Sequence, residues 1–507
     1  MVTSTDTKLP RSNFSKPLLY IVLLLIGVVV GYEIGSDQAQ SVKVTSLTSE
    51  KDVSLQKLEE VYNYLEERYV DEVAFVGLTD KAIHDALKAL DPHSYYITAD
   101  EVKAFNDRLD GKYYGLGMES LTIDDRVIVR RIYPGTPASE VDVRRGDEIL
   151  AIDSFSLVGL DDDGRQALME RFRAYRSREI QLTLRRISGD VERVRLSKSF
   201  VGVPSIDASF MVNDHTGYIR IKRFSSETYR EFMAVLETLC EDRGMENLII
   251  DVRDNPGGYL NQVIDILSQF YDEKDVVLTT TQGINSRRLE YKSTGKPFYI
   301  VKNIAVLINE QSASGSEVLA GAIQDTDRGV IIGSSSFGKG LVQERYELVD
   351  GAEIRLTTSR YFTPSGRSIQ KSYPSATHSI IDTSESYISS NGRRLDTHCG
   401  VVPDVYVKDS LWTEDLERLF LSCYYGQTDL SADTTDLVGL IRECMMSRTT
   451  VLVEEGSLAR RTILEQLPPG EAWQELYETD PHIQTAIEHL ESPRLLQSVL
   501  LESDGSM

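Results

Sequence analysis

Cysteine is scarce in this chain: four among 507 residues, at Cys240, Cys399, Cys423 and Cys444. None stands in CxxC spacing, so a zinc site has no footing, and His398 beside Cys399 is one pair rather than a ligand set. A disulfide among Cys399, Cys423 and Cys444 stays open if the compartment is oxidising. Positive charge is also short, with 55 Lys and Arg against 79 Asp and Glu and a net charge of -24. A nucleic-acid partner needs clustered cations, so that class is set aside. The acidity itself reads as surface solubility. There is no internal repeat, and the glycine spacing of a nucleotide P-loop does not precede Gly338-Lys339-Gly340. No histidine lies near the serine-rich and lysine segments described below, so a Ser-His-Asp triad has no local support, although its partners can be distant in sequence.

Long apolar runs are missing too, with one exception. Lys8, Arg11 and Lys16 precede an apolar stretch from Pro17 to Tyr32, and Glu33 and Asp37 follow it. Its 16 residues would make about 24 Å of helix, slightly short of a hydrocarbon core. The basic flank favours an N-inside orientation with the rest of the chain exported. An uncleaved signal anchor over 17–35 is the reading adopted. A cleaved signal peptide is the alternative, with a weak small-residue pattern around Ala39.

The remainder has an ordinary globular balance, 41% hydrophobic and 26% charged. Its length suggests about three or four domains. After a cytoplasmic tail (1–16), the anchor (17–35) and a polar spacer (36–53), helical spacing of Leu58, Val61, Tyr62 and Leu65, and of Ile83, Ala86, Leu87 and Leu90, predicts an N-terminal helical region over 54–110. Asp91-Pro92-His93-Ser94 stops that pattern. Residues 111–200 turn to short β-like runs, Val127–Ile132, Glu148–Ile152 and Ile180–Leu184, with a helical segment near Arg165–Tyr175. Over 201–380 strands alternate with helices: strands at Gly217–Ile221, Leu248–Val252, Ile304–Ile308 and Val330–Ile332, helices at Glu227–Arg243, Leu260–Phe270 and Ser316–Gln324. That alternation predicts an α/β domain with a mixed sheet and flanking helices. A loop and a core-associated strand follow over 381–406, and a mainly helical, acidic region over 407–507.

Three segments carry chemistry. Ser312-Ala313-Ser314-Gly315-Ser316-Glu317 follows an apolar strand and opens a helix, where a nucleophile would meet helix-end amides suited to a developing oxyanion. On this segment alone, helix capping by the serines explains it as well. In Phe337-Gly338-Lys339-Gly340, a lysine flanked by glycines can turn inward, lose charge stabilisation and act as a neutral base, or it can simply be a solvated loop lysine. Asp251-Val252-Arg253-Asp254-Asn255-Pro256-Gly257-Gly258 ends a strand and opens a helix. Its glycines offer further oxyanion donors, or merely a turn.

Taken together the chain resembles the C-terminal processing peptidases, or tail-specific proteases, over roughly residues 55–375. The resemblance rests on Leu90-Asp91-Pro92-His93-Ser94, Tyr114-Gly115-Leu116-Gly117, Arg145-Gly146-Asp147, Asn255-Pro256-Gly257-Gly258, residues 312–317, residues 337–340 and Thr363-Pro364-Ser365-Gly366-Arg367-Ser368-Ile369-Gln370, in the family's order, with a weaker echo at Val402-Pro403-Asp404. It implies Ser314 as nucleophile, Lys339 as general base 25 residues later, and Gln343 orienting the amine. It implies oxyanion donors at Gly315 and at Gly257 or Gly258. It also implies that 111–200 is a PDZ domain whose loop, Tyr114, Gly115, Leu116, Gly117 and Met118, takes a C-terminal tail, with Leu116 and Met118 lining an apolar pocket. Gly315 stands where alanine is more usual, Ser336 where threonine is common, and His398-Cys399-Gly400 where the family tends to glycine. The last hundred residues match none of the motifs.

The expectation is therefore a serine endopeptidase working through a Ser-Lys dyad and an acyl-enzyme. It needs no metal or organic cofactor, acts on proteins with apolar C-terminal tails, and sits in a bacterial inner membrane with its catalytic part in the periplasm. A homo-oligomer or an adaptor protein is a further partner to test. The rival readings are a catalytically silent PDZ adaptor on a protease-like scaffold and a membrane-tethered structural protein with a relic site.

Overall fold

The computed structural model describes residues 49–123, 126–144, 146–161, 163–164, 167–168, 179–186, 188–372, 386–396, 400–408 and 480–501. The expected anchor at 17–35, most of the helical segment near 165–175, and Cys399, Cys423 and Cys444 lie outside them. Among the described residues no helix is long and apolar enough to cross a membrane. The chain divides into two compact units, Met1–Thr79 and Asp80–Met507. In the first, helix Glu50–Arg68 is capped reciprocally: the Asp52 N–H donates to Ser49 Oγ (3.2 Å) and the Ser49 N–H to Asp52 Oδ2 (3.0 Å). Its Tyr62 meets Phe75 ring to ring and shares a 3.0 Å hydrogen bond with Thr79.

The second unit is built on a six-stranded central sheet. Ile206–Met211 runs antiparallel to Thr216–Ile221. Asn247–Asp251, Asn303–Ile308, Val330–Gly333 and Val405–Tyr406 then follow in parallel. The middle strands are buried on both faces, which is why Leu248–Ile250, Ile304–Ile308 and Val330–Ile332 read in the sequence as unbroken apolar runs rather than alternating ones. One face is covered by Thr228–Glu237, Leu260–Leu267 and Gly315–Asp325. Helix Pro481–Glu491 packs on the other, setting Ile483, Ala486 and Leu490 against Tyr218, Ile249, Ala305 and Leu307. Each buried leucine or isoleucine of this kind contributes about 1.5–3 kcal/mol. The C-terminal segment that matched no motif thus supplies one of the two layers over the sheet.

A separate antiparallel sheet carries the strands Tyr95–Ile97, Lys274–Gln282, Leu289–Thr294, Leu341–Glu347 and Glu353–Phe362. The periodicity read from the sequence did not find it. Its strands are polar or charged and mostly half-exposed, so they lack the apolar signal of the central sheet.

Residues 112–202 form the β-rich module expected from the sequence. Met118–Ile123, Arg126–Ile132, Glu148–Ile152, Glu179–Arg185 and Val191–Ser197 make one antiparallel sheet around Leu116, Val129, Ala138, Ile149 and Leu182. Lys112–Gly115 pairs with Ser199–Gly202 where the chain enters and leaves. The Asp147 carboxylate is buried and binds Arg186 Nη1 (2.6 Å) and the Arg144 N–H (2.7 Å), which closes the turn before Glu148.

Candidate active site

Strand Asn303–Ile308 delivers the chain into a tight turn, and helix Gly315–Asp325 begins immediately after Ser314. The three serines of this turn have different fates. Ser312 Oγ donates to the Val252 carbonyl (2.8 Å) and accepts the Asn309 N–H (2.9 Å), and Ser316 Oγ donates to the Asn255 carbonyl (2.9 Å). Both residues are fully buried and fasten the turn to the 252–255 loop. Ser314 alone keeps some exposure and has φ 55° and ψ -110°, a conformation L residues rarely adopt. Its hydroxyl meets the phenol of Tyr361, which burial raises above its ordinary pKa. The hydroxyls of Ser312 and Ser316 are thus both engaged in holding the turn.

Glu317 lies three residues on, fully buried. Its Oε2 accepts the backbone N–H of Ser314 (2.8 Å) and that of Lys339 (2.8 Å). Its Oε1 accepts the Gly338 N–H (2.7 Å) and the Ser336 hydroxyl (2.6 Å). One carboxylate oxygen therefore holds the backbones of Ser314 and Lys339 within two hydrogen-bond lengths of each other. Burial raises the Glu317 carboxyl, and the four donors pull it back toward the charged form. The lysine loop is fixed from its other side by Gln370, whose Oε1 accepts the Gly340 N–H (2.8 Å), and by the Lys371 N–H on the Gly338 carbonyl (2.9 Å).

The Lys339 side chain is half-buried, and desolvation lowers its pKa from the ordinary 10.5 against the opposing pull of Glu317 and Asp91. Asp91 and His93 come from a segment more than two hundred residues away. His93 is itself lowered, by burial first and then by the charge of Lys339. The fold thus brings a histidine toward the lysine, a neighbour that distance in sequence had hidden. Gln343 lies on strand Leu341–Glu347, opposite Thr357, and its Nε2 donates to Thr357 Oγ1 (3.3 Å).

Of the expected oxyanion donors, Gly315 follows Ser314 directly and Gly257 lies against it. Gly257 has φ 98°, and a Cβ there would stand 2.8 Å from Ser314 Cβ and from the Gly315 nitrogen, so glycine is required for the approach. The Gly257 N–H, however, donates to Asn255 Oδ1 (2.8 Å) and closes its own turn. Gly315 opens the helix, whose positive end faces the same point.

In the β-rich module, Tyr114 is on the first strand, in edge contact with Phe200. Gly115 leaves room for the Tyr113 ring, since an added Cβ would lie 2.3 Å from it. Gly117 has φ 81° and sits against Thr136. Leu116 is 4% exposed and belongs to the module core, with Met118 packed against that core. Of the two side chains expected to line an apolar pocket, Leu116 is therefore core and Met118 is half-buried against it.

Among the described residues no cluster of ligating side chains suits a metal ion. What the arrangement can offer chemically is acyl transfer: a hydroxyl on strained backbone, an amine with lowered basicity, and helix-end amides.

The family model for Peptidase family S41 matches residues 215–380. The carboxy-terminal processing protease CtpB of Bacillus subtilis (strain 168) is 31% identical over 352 residues, 67% of this chain and 70% of that protein. A probable CtpA-like serine protease of Staphylococcus haemolyticus is 28% identical over 352 residues, 69% of this chain and 70% of its own. A solved photosystem II D1 C-terminal processing protease shares 25% identity over 71% of this chain and 88% of that one, at TM-score 0.40. On this sequence identity and coverage, the chain belongs to peptidase family S41, among the C-terminal processing peptidases, and is a serine-type peptidase.

Proposed function

We propose that Ser314 and Lys339 form a Ser-Lys dyad that cleaves peptide bonds through an acyl-enzyme, with Gln343 orienting the amine. The observation that carries this reading is the single Glu317 oxygen shared by the backbones of both residues. Neutral Lys339 takes the Ser314 proton as the hydroxyl attacks the carbonyl. The N–H groups of Gly315 and Gly258 hold the oxyanion, and protonated Lys339 then donates to the leaving amine. Water resolves the acyl-enzyme with Lys339 again as base. Burial supports this role by making the amine available as a base at lower pH than an ordinary lysine.

In this proposal residues 111–200 act as a PDZ module, the Gly115–Met118 backbone receiving the terminal carboxylate of a protein with an apolar tail. Leu116, a core residue, and Met118, half-buried against that core, would shape the groove floor. Residues 17–35 anchor the chain in a lipid bilayer, with the catalytic unit on the far side, in a bacterium the periplasmic face. The test uses the full chain in detergent micelles and an unfolded protein ending in an apolar tail. The same substrate with an amidated C-terminus serves as comparison. Cleavage is expected for both, with KM roughly 10- to 100-fold higher for the amide, the range for a lost charge-assisted hydrogen bond. Equal KM values would remove the tail-capture reading, and an inert wild-type chain would favour the silent adaptor.

A further inference from the structure

Gln343 is an amide, and an amide can face either way: its nitrogen end donates and its oxygen end accepts. Only the second is useful to a neutral amine whose lone pair must point at a serine. Something in the protein has to choose between them.

The antiparallel sheet contains a chain of hydroxyls that makes the choice. Its register slips between Val342 and Gln343, so that Val342 faces Ser359 while Gln343 faces Thr357. Such a bulge re-aims side chains. Thr357 Oγ1 sits 3.3 Å from Gln343 Nε2 and also 3.3 Å from Ser94 Oγ. Ser94 comes from the Asp91-Pro92-His93-Ser94 turn, just ahead of the strand Tyr95–Ile97 that pairs with Glu353–Phe362. Ser94 Oγ lies 2.6 Å from Asp91 Oδ2 and receives the Thr357 N–H at 3.1 Å. Asp91 is buried, and its Oδ1 takes the N–H groups of His93 and Ser94, each at 2.7 Å.

Counting protons gives the chain a direction. Ser94 has one hydroxyl proton, and the short contact commits it to the Asp91 carboxylate. Between Ser94 and Thr357 the proton must then come from Thr357. That leaves Thr357 Oγ1 as an acceptor toward Gln343, so the amide presents its NH2 end to Thr357 and turns its carbonyl away.

We infer that Asp91, Ser94 and Thr357 are positioning residues that fix the orientation of the Gln343 amide, leaving its Oε1 to accept an N–H of the Lys339 amine and so aim the lone pair at Ser314. The inference rests on the Ser-Lys reading and extends it. An alternative use for Asp91 is simply to close the turn after helix Phe75–Lys88, and that use predicts no link to Gln343.

The experiment measures kcat and KM of the full chain on the apolar-tailed substrate, with melting temperatures as control. Thr357→Val removes the hydroxyl and keeps the shape. It is expected to lower kcat roughly 10- to 100-fold with KM unchanged, the scale of a misplaced catalytic group. Thr357→Ser is expected to restore kcat to near wild type, and Ser94→Ala to fall with Thr357→Val. In a Gln343→Ala background, Thr357→Val is expected to cost nothing more. Wild-type kcat in Thr357→Val, or losses that multiply with Gln343→Ala, overturn the inference. Gln343→Ala at wild-type kcat while Lys339→Ala is inactive also overturns it, yet leaves the dyad standing. An active Lys339→Ala removes the dyad itself.

Discussion

Lys339→Ala lowers kcat by about 10⁴-fold or more, the scale seen when one member of a nucleophile–base unit is removed, while its thermal midpoint stays at or above that of the intact chain. The activity loss follows from geometry. Among the described residues no other lysine is held to the Ser314 backbone through Glu317, and the Glu317 bond to residue 339 is made by the backbone, so alanine retains it. The stability half follows from the sign of the pKa shift. Burial holds Lys339 below 10.5 in the folded chain, so between the lowered value and 10.5 the folded state binds fewer protons than the unfolded one. Stability therefore rises with pH through that window and is smaller below it, where the ammonium must be charged in a desolvated place. Alanine removes that burden. Activity assays beside thermal melts at neutral pH check both halves, and a melt that falls with the activity would assign Lys339 a structural role.

Arg253→Met should destabilise the second unit by about 3–5 kcal/mol, the cost of stripping one partner from a buried charge network. The Arg253 guanidinium is fully buried. It grips Asp251 through Nε and Nη2 (2.6 Å to Oδ2) and Asp480 through Nη1 (2.9 Å to Oδ2). Tyr218 donates to the same Asp251 oxygen at 2.7 Å. Asp480 in turn caps helix Pro481–Glu491, accepting the His482 N–H at 2.9 Å. Arg253 thus ties the C-terminal helix to the strand end that leads into the Asn255–Gly258 loop. Without it, two carboxylates remain buried without their shared cation. Urea unfolding followed by circular dichroism reads the loss. Adding Asp480→Asn to Arg253→Met is expected to recover part of it, since one uncompensated charge is then gone. A change within 0.5 kcal/mol, the usual range for unremarkable surface substitutions, would mean that the network contributes nothing net.

The parts of this protein legible in its sequence are those where one physical signal dominates. Leu248–Val252, Ile304–Ile308 and Val330–Ile332 are apolar because the central sheet is covered on both sides, and all three proved to be strands. The turns at 255–258, 312–317 and 337–340 stood out because glycine and serine cluster where backbone must approach backbone. The antiparallel sheet did not stand out, since Glu353–Phe362 and Leu341–Glu347 mix charge and hydroxyl with apolar residues and have one wet face. Tyr361 was missed for the same reason, as an ordinary aromatic in a strand that was not read. His93 was visible as part of a helix-ending turn and of a family motif but without a role, because its nearness to Lys339 is a long-range product of sheet pairing. The C-terminal helix was read as helical, but its pairing with Arg253 joins residues 227 apart, which no local pattern encodes.

The central claim is that a lysine, not the adjacent histidine, activates Ser314. The most direct measurement is the pH dependence of kcat/KM on the apolar-tailed substrate, for the intact chain and for His93→Gln. The account predicts activity that rises with pH along a single limb whose apparent pKa lies below lysine's ordinary 10.5, and a limb that persists when His93 is replaced. A limb at or below histidine's ordinary 6.5 that vanishes in His93→Gln, with Lys339→Ala still turning over, would contradict it.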